Sequence, residues 1–474
     1  MPGWKYRPRS GSFLIGQGSQ LASATNGMNM EGYGAIALGM GGASMAYDNG
    51  TAAMMNNPAT LAMMDEGANL DLALGFLAPQ VGSSDGGTTN RSSADFFGGP
   101  AFGWVRKHDG LLFGIGVYGQ GGMGAEYGSD SIFSNPAKQP VSPGLVNRSE
   151  VSVGRMILPL AYEVSPNLKI GGSLDYVWAG MDLKMAINGA SFMQMAGGAS
   201  PMASASGPMV GAFGGIIGAA PGQIGAVNWG YFDFSNQNDF TGQAVGTGYA
   251  GKIGFTYKLD SKTTIGATYH SKTRLDDLEA QDATVSFNVD INGGPANLLI
   301  PVSGKMTVKD FQWPDTYGMG IAYEASERWM LAADYKRINW KAVMKDFRME
   351  FTPAGNVGMA AGFNGLPMNV TFYQEWDDQH VVMLGAAYRM TDALTLRGGI
   401  NMANNPVPDK YLHYLFPATI ENHVTAGIGY VTGKRSHLDL AFSYAPKVTA
   451  TSGATGITTS HEQTNGQLVY STHF

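Results

Sequence analysis

The side chains that could do chemistry in this sequence are cations and carboxylates on the polar side of alternating segments. By that alternation Lys169, Lys252, Lys336, Arg389, Arg397 and His423 share one face with Asp175, Asp334 and Asp439. Placed together they would form ion pairs across neighbouring strands. Aimed at a cavity, one or two of the cations would hold a carboxylate through charge-assisted hydrogen bonds. Lys336 and Arg397 are the candidates for that second role. Hydrolytic and metal chemistry find no support in the spacing. The eight His and the acidic residues fall into no triad or zinc pattern. Zero Cys removes thiol nucleophiles, thiolate metal sites and disulfides. No enzyme, cofactor or metal site is expected, and the cluster Asp276, Asp277 and Glu279 reads as a solvated acidic face.

The elements that would position these groups are strands. Leu168, Ile170, Gly172, Leu174, Tyr176 and Trp178 oppose Lys169, Gly171, Ser173, Asp175 and Val177, and Leu394 to Met402 alternates in the same way. One face carries the charges, and the other carries aliphatics with Tyr or Trp near the ends. A soluble sandwich would need charge on its outward face. Only 14% of the 474 residues are charged, yet mean hydropathy is −0.09. Helical membrane proteins need about 20 apolar residues in a row per span. A transmembrane β-barrel reconciles scarce charge with ordinary hydropathy, because only its lipid-facing half must be apolar.

Connections alternate in length, with tight turns at Ser165-Pro166-Asn167, Asp260-Ser261-Lys262 and Thr391-Asp392 against long stretches such as residues 185–243. Segments beginning near residues 66, 93, 110, 150, 167, 245, 263, 304, 328, 379, 393, 421, 437 and 464 predict an all-β, antiparallel barrel of about 14 strands. The last segment puts Leu468, Tyr470, Thr472 and Phe474 on one face, and Tyr470 with Phe474 reads as a barrel assembly signal. Residues 185–232 lack any charge, but Pro201, Pro208 and Pro221 rule out a continuous helical span. They predict an external loop in which Met193, Met195, Met202, Met209, Phe213, Ile216 and Ile217 form an apolar landing surface, with Met209, Phe213 and Ile216 the leading ligand contacts. The net charge of −7, with no basic stripe, argues against a nucleic-acid partner.

Residues 1–11 have no apolar leader core and read as a leader remnant or a misassigned start. Residues 12–64 are rich in Gly, Ala, Met and Asn and predict a plug, leaving 65–474 for the barrel. Within them stand Gly39–Asp48 (GMGGASMAYD) and Asn57-Pro58-Ala59. Together with residues 315–340, 385–408 and 427–444, these segments resemble the FadL family of outer-membrane transporters for long-chain fatty acids and other hydrophobic compounds. The resemblance runs from about residue 12 to the end. Two departures stand out: Pro417-Ala418 replaces the family's Pro-Asp, and the 185–243 loop is unusually rich in Met and Gly.

The resemblance implies a 14-stranded barrel of the bacterial outer membrane with an N-terminal hatch inside it, in which Asn57, Pro58 and Ala59 match the hatch motif. Ligands such as fatty acids or hydrocarbons would be captured on external loops, pass to a lumenal pocket and leave sideways through the wall, without an energy source. Gly119, Gly121, Gly122 and Gly124 interrupt a good strand and are candidates for the lateral opening. The expected partners are hydrophobic small molecules, outer-membrane lipid and lipopolysaccharide, and the assembly machinery, with the protein a monomer. A diffusion porin for polar solutes is the alternative, and a barrel enzyme a more distant one.

Overall fold

The computed structural model describes residues 26–238 and 242–474, joined through antiparallel ladders into one sheet of 22 strands. The expected leader at residues 1–11 lies outside the described residues, as does the first part of the 12–64 segment. Six strands come first: β1 (Gly67–Ser84), β2 (Thr89–Arg91), β3 (Phe97–His108), β4 (Leu111–Tyr127), β5 (Asn147–Glu163) and β6 (Leu168–Asn188). β7 (Ala203–Ser206) and β8 (Ile224–Phe234) follow, then β9 (Ala244–Lys258), β10 (Thr263–His270), β11 (Arg274–Leu275), β12 (Leu278–Ile291) and β13 (Leu298–Lys309). Next are β14 (Thr316–Glu324), β15 (Trp329–Ile338), β16 (Asp346–Pro353) and β17 (Met368–Tyr373). β18 (Gln379–Arg389), β19 (Leu394–Ala403), β20 (Asn422–Gly433), β21 (Ser436–Thr451) and β22 (Thr458–His473) complete the set.

The expectation of fourteen strands is corrected to a closed antiparallel barrel of sixteen. Pairing passes β1–β3–β4–β5–β6, then β6–β8–β12–β9 at the long-loop rim. It continues β9–β10–β14–β15–β18–β19–β20–β21–β22 and closes on β1. Nearer the short turns, β6 also pairs directly with β9, from Leu168↔Tyr257 to Met181↔Ala244. The two added strands have a physical cause. β6 has 21 residues, well beyond the roughly 9–11 that cross a bilayer. Its protruding end leaves an unpaired edge, which β8 takes from Leu183↔Phe234 to Asn188↔Trp229. The eighth expected segment is also corrected: the run near Gly304 is β13, which pairs with β12 and β16 in the outer cap, and the wall strand there is β14.

The alternation has the expected consequence for burial. Leu74 and Ile253 are 62% and 64% exposed on the outer face, with Tyr249, Tyr430 and Tyr470. Asp71, Asp175, His423, Asn465 and Gln467 are buried on the inner one. Tyr470 and Phe474 both face outward at the short-turn end, where Phe474 and Ala68 exchange backbone hydrogen bonds of 2.8 and 2.9 Å. At the opposite end the cap adds α2 (Gly189–Ala196) and α3 (Pro208–Gly215), numbered after α1 (Ala35–Gly39) of the N-terminal segment. The Asn188 side chain caps α2 by accepting from Ser191 N at 2.7 Å.

Candidate lateral opening and lumenal site

The wall changes character between β3 and β4. Their ladder runs from His108↔Leu111 to Phe102↔Val117 and ends there, and β4 bulges between Gly119 and Gly121. Past that point, among the described residues, the one strand ladder of β4 is with β5, and outside the N-terminal segment its other edge is met again only near its end, where Ser93 N donates to the Glu126 carbonyl at 2.9 Å. The N-terminal segment takes the open edge: Asn29 bridges to Gly121, and Gly122 N donates to the Met28 carbonyl at 3.0 Å. Gly121 has φ of 154°, and a Cβ there would stand 2.0 Å from the Met28 oxygen, so only glycine allows this approach. Asn29 Oδ1 accepts from Gln120 Nε2 and from Trp313 Nε1, each at 2.8 Å. Trp313 packs edge-on against Trp340, and Trp340 against Trp376, with ring centroids 5.5 and 5.4 Å apart. One asparagine thus ties the open strand edge to an aromatic wall beneath the cap.

Beside the gap lies a cavity between the N-terminal segment and β1, β3 and β4. Small side chains create it. The lumen-facing positions are Ala73 and Gly75 on β1 and Ala101 and Gly99 on β3, with Gly75 directly opposite Gly99. Met30, Ile36 and Val469 supply apolar lining, while Tyr118, Thr51 and Asp71 supply a polar edge. Leu74 and Phe102, which face lipid, also border the cavity, and a pocket on the outer surface shares Leu74, Gly75 and Gly99 with it. The two spaces thus meet at β1 and β3, and at Gln467 of β22. Of the glycines singled out from sequence, Gly119 lines the cavity, while Gly121 and Gly122 hold the N-terminal segment. Gly124 lies further along β4, opposite Glu150 of β5.

Asn57-Pro58-Ala59 forms a capped turn buried against the wall. Asn57 Oδ1 accepts from Ala59 N at 3.1 Å, and Asn57 Nδ2 donates to the carbonyls of Met45 (2.8 Å) and Phe255 (3.1 Å). Pro58 starts a 3-10 turn over Pro58–Met63, where its missing N–H costs nothing. Lys107 Nζ closes the segment by donating to the Ala62 and Met64 carbonyls, each at 2.9 Å.

The lumenal charges fall into two kinds. Arg155 and Lys252 both bind Asp175, Lys169 pairs with Glu163, and Arg397 Nη1 sits 2.7 Å from Asp439 Oδ1. Arg397 is therefore held in a cross-strand pair. Lys336 is buried, with Asp334 its neighbour on the same strand face, and it makes no ion pair within 4.0 Å among the described residues. Asp334 turns instead to the N-terminal segment, accepting from Ser44 N at 2.5 Å and Met45 N at 3.0 Å.

In the cap, Met209 and Phe213 of α3 are buried, and Phe213 packs 4.6 Å from Phe287 and 5.8 Å from Phe192. They form the cap's core, whereas Ile216 and Met193 are exposed. A smaller apolar pocket lies nearby, among Leu183, Met185, Phe347, Phe372, Tyr411 and His413. Burial pushes the His413 imidazole down to about 4, so the ring is neutral there at ordinary pH. Sequence reasoning missed Ala73, Gly75, Gly99, Ala101, Phe102 and Tyr118. The signal available was the run of small residues at alternate positions of FGGPAFG.

The family described as outer membrane protein transport protein (OMPP1/FadL/TodX) matches residues 17–470. The Pseudomonas putida toluene transporter TodX superposes with a TM-score of 0.78 at 29% identity, covering 94% of this chain and 99% of that one. The Ralstonia pickettii toluene transporter TbuX gives 0.74 at 30% identity, covering 94% and 99%. An uncharacterized Chlorobium limicola protein is 45% identical over 84 residues, 18% of this chain and 41% of its own length. Outer membrane protein P1 of Haemophilus influenzae is 23% identical over 231 residues, 46% of this chain and 45% of its own. Each of these two curated relatives is thus matched over less than half its length. Whole-chain coverage by the family and a closed barrel with a lipid-exposed outer face lead to one assignment: the chain belongs to the OMPP1/FadL/TodX family of outer-membrane transport proteins.

Proposed function

We propose that this protein carries uncharged hydrophobic compounds, of the size of single-ring aromatics, passively across the outer membrane. Ligand is captured by the apolar cap, moves down past Trp376, Trp340 and Trp313, lodges in the cavity beside β3 and β4 and leaves sideways into the membrane. In this reading residues 26–64 act as a hatch, with Met28 and Asn29 as its removable edge. One observation carries the proposal: an apolar cavity reaches the lipid-facing residues Leu74 and Phe102, next to a strand edge held at Gly121 and Gly122 by the N-terminal segment. That the chain resembles two toluene transporters over most of its length favours aromatic ligands.

Uptake of labelled toluene by cells expressing the protein tests this. Saturable uptake with little ionic conductance is expected, and large steady single-channel conductance without toluene uptake would overturn the proposal in favour of a porin. A second reading, fatty acids, draws on Lys336, a buried cation that makes no ion pair within 4.0 Å among the described residues and could hold a carboxylate. Laurate uptake that falls when Lys336→Ala is introduced would favour it.

A further inference from the structure

We propose that Asp71 is a specificity-determining residue: it sets the charge class of ligand at the wall cavity, passing uncharged molecules and turning back carboxylates. The inference rests on the lateral route proposed above. Asp71 stands on the lumen face of β1, two residues from Ala73, and lines the cavity. Its Oδ2 accepts from Thr51 N and Thr51 Oγ1, each at 2.7 Å, and Thr51 Oγ1 lies 2.9 Å from Tyr118 Oη. Neither donor brings a positive charge, and Asp71 makes no ion pair within 4.0 Å among the described residues.

The rest of the lining deepens the asymmetry. Asp439 is the other ionisable carboxylate there, and no Lys or Arg borders the cavity. Arg397, engaged with Asp439, lines a polar cleft at the short-turn end that meets the cavity at Ile36, Gly50, Asp71, Asp439 and Ser471. A fatty carboxylate entering the cavity from the cap side would meet the Asp71 charge, with no Lys or Arg in the cavity lining to offset its lost hydration. A neutral aromatic would meet Met30, Ile36, Val469 and the Tyr118 ring at no such cost.

Asp71→Asn keeps the shape and the carbonyl that accepts from Thr51 while removing the charge. The test compares uptake of labelled toluene and labelled laurate by cells expressing the wild-type chain, Asp71→Asn or Thr51→Val, the last leaving the carboxylate in place. The expected result is a laurate-to-toluene uptake ratio raised about tenfold in Asp71→Asn and not in Thr51→Val, the equivalent of ~1.4 kcal/mol. An unchanged laurate-to-toluene ratio in an Asp71→Asn variant that still takes up toluene would overturn the inference and leave the transport reading standing. Equal changes in Asp71→Asn and Thr51→Val would also overturn it, by reducing Asp71 to a tether for Thr51. Failure of the wild-type chain to take up toluene would remove the transport reading itself.

Discussion

Gly122 donates its backbone N–H to the carbonyl of Met28 across 3.0 Å, so a residue of the N-terminal segment sits where a neighbouring wall strand would otherwise pair. A barrel wall tolerates no unsatisfied edge at membrane depth, since each unpaired backbone group there costs several kcal/mol. Here the edge is satisfied by a partner that is not part of the wall. The seal can therefore be lost without breaking any strand–strand ladder.

Gly121→Val tests that seal. A Cβ at this position would overlap the Met28 oxygen, and the positive φ adds strain of about 1–3 kcal/mol for a branched residue. The expected outcome is a displaced Met28–Asn29 edge, seen as severalfold faster hydrogen exchange at Gly122 and raised permeability of the reconstituted barrel. Unchanged exchange at Gly122 would show that the edge is sealed by other means.

Asn57→Ala should loosen the N-terminal segment while sparing the barrel. The substitution strips donors from the buried carbonyls of Met45 and Phe255 and an acceptor from Ala59 N. Each group left unsatisfied costs about 1–3 kcal/mol. Exchange measured by mass spectrometry should rise across residues 45–60, while the folded barrel keeps its shifted mobility on unheated gels. Loss of that shift would make the turn a requirement for assembly.

Arg397→Ala should behave as a structural lesion. It leaves Asp439 without its guanidinium partner in a buried site, at a cost of about 3–5 kcal/mol. Arg397→Ala combined with Asp439→Asn should recover much of the lost thermal stability, with ligand affinity near wild type in the double variant. A stable double variant that cannot bind laurate would return Arg397 to the ligand site.

The cap should weaken in acid through His413. Its folded-state value of about 4 lies below the ordinary 6.5, so the unfolded chain takes up the proton first. This contribution is complete above about pH 6.5, declines as pH falls toward about 4 and is level below that. It amounts to about 1–3 kcal/mol, allowing for the ring's partial exposure. Exchange across residues 404–421, corrected for the intrinsic rate, should be faster at pH 4.5 than at pH 7. His413→Phe should abolish the difference, and a persistent difference would place the sensitivity elsewhere.

The wall was legible wherever lipid lies on one side and the lumen on the other. β19 and β22 each alternate in the sequence as they do in the structure, because a residue facing lipid cannot be charged. The cap broke that logic. β8 begins inside the uncharged 185–232 run and alternates only at its end, where Phe232 and Phe234 are buried on either side of a half-buried Asp233, and it read as loop. β13 does alternate, with Ile300, Val302, Met306 and Val308 buried, but against the cap's core, so it passed for wall while β14 went uncounted. Met209 and Phe213 look like an exposed apolar surface until the packing of α3 on Phe287 is known. The cavity was hidden for a different reason: it is made by what Ala73, Gly75, Gly99 and Ala101 lack.

Filling that space is the most direct challenge to the lateral route. Ala101 points into the cavity from β3, one position from Phe102 on the lipid face. Ala101→Leu adds a branched side chain where the wall now offers a methyl group. In a packed core such a change costs about 1–3 kcal/mol, but an existing cavity should absorb most of the added volume, and the barrel should assemble normally. If ligand passes between β3 and β4, toluene uptake should fall about tenfold, while toluene binding to the cap, read from the Trp fluorescence of purified protein, stays near wild type. Leu74→Ala, which trims the lipid side of the same opening, should not reduce uptake. A folded Ala101→Leu variant that takes up toluene at the wild-type rate would mean that the route does not cross this wall. The gap beside Gly121 would then serve to anchor the N-terminal segment and nothing more.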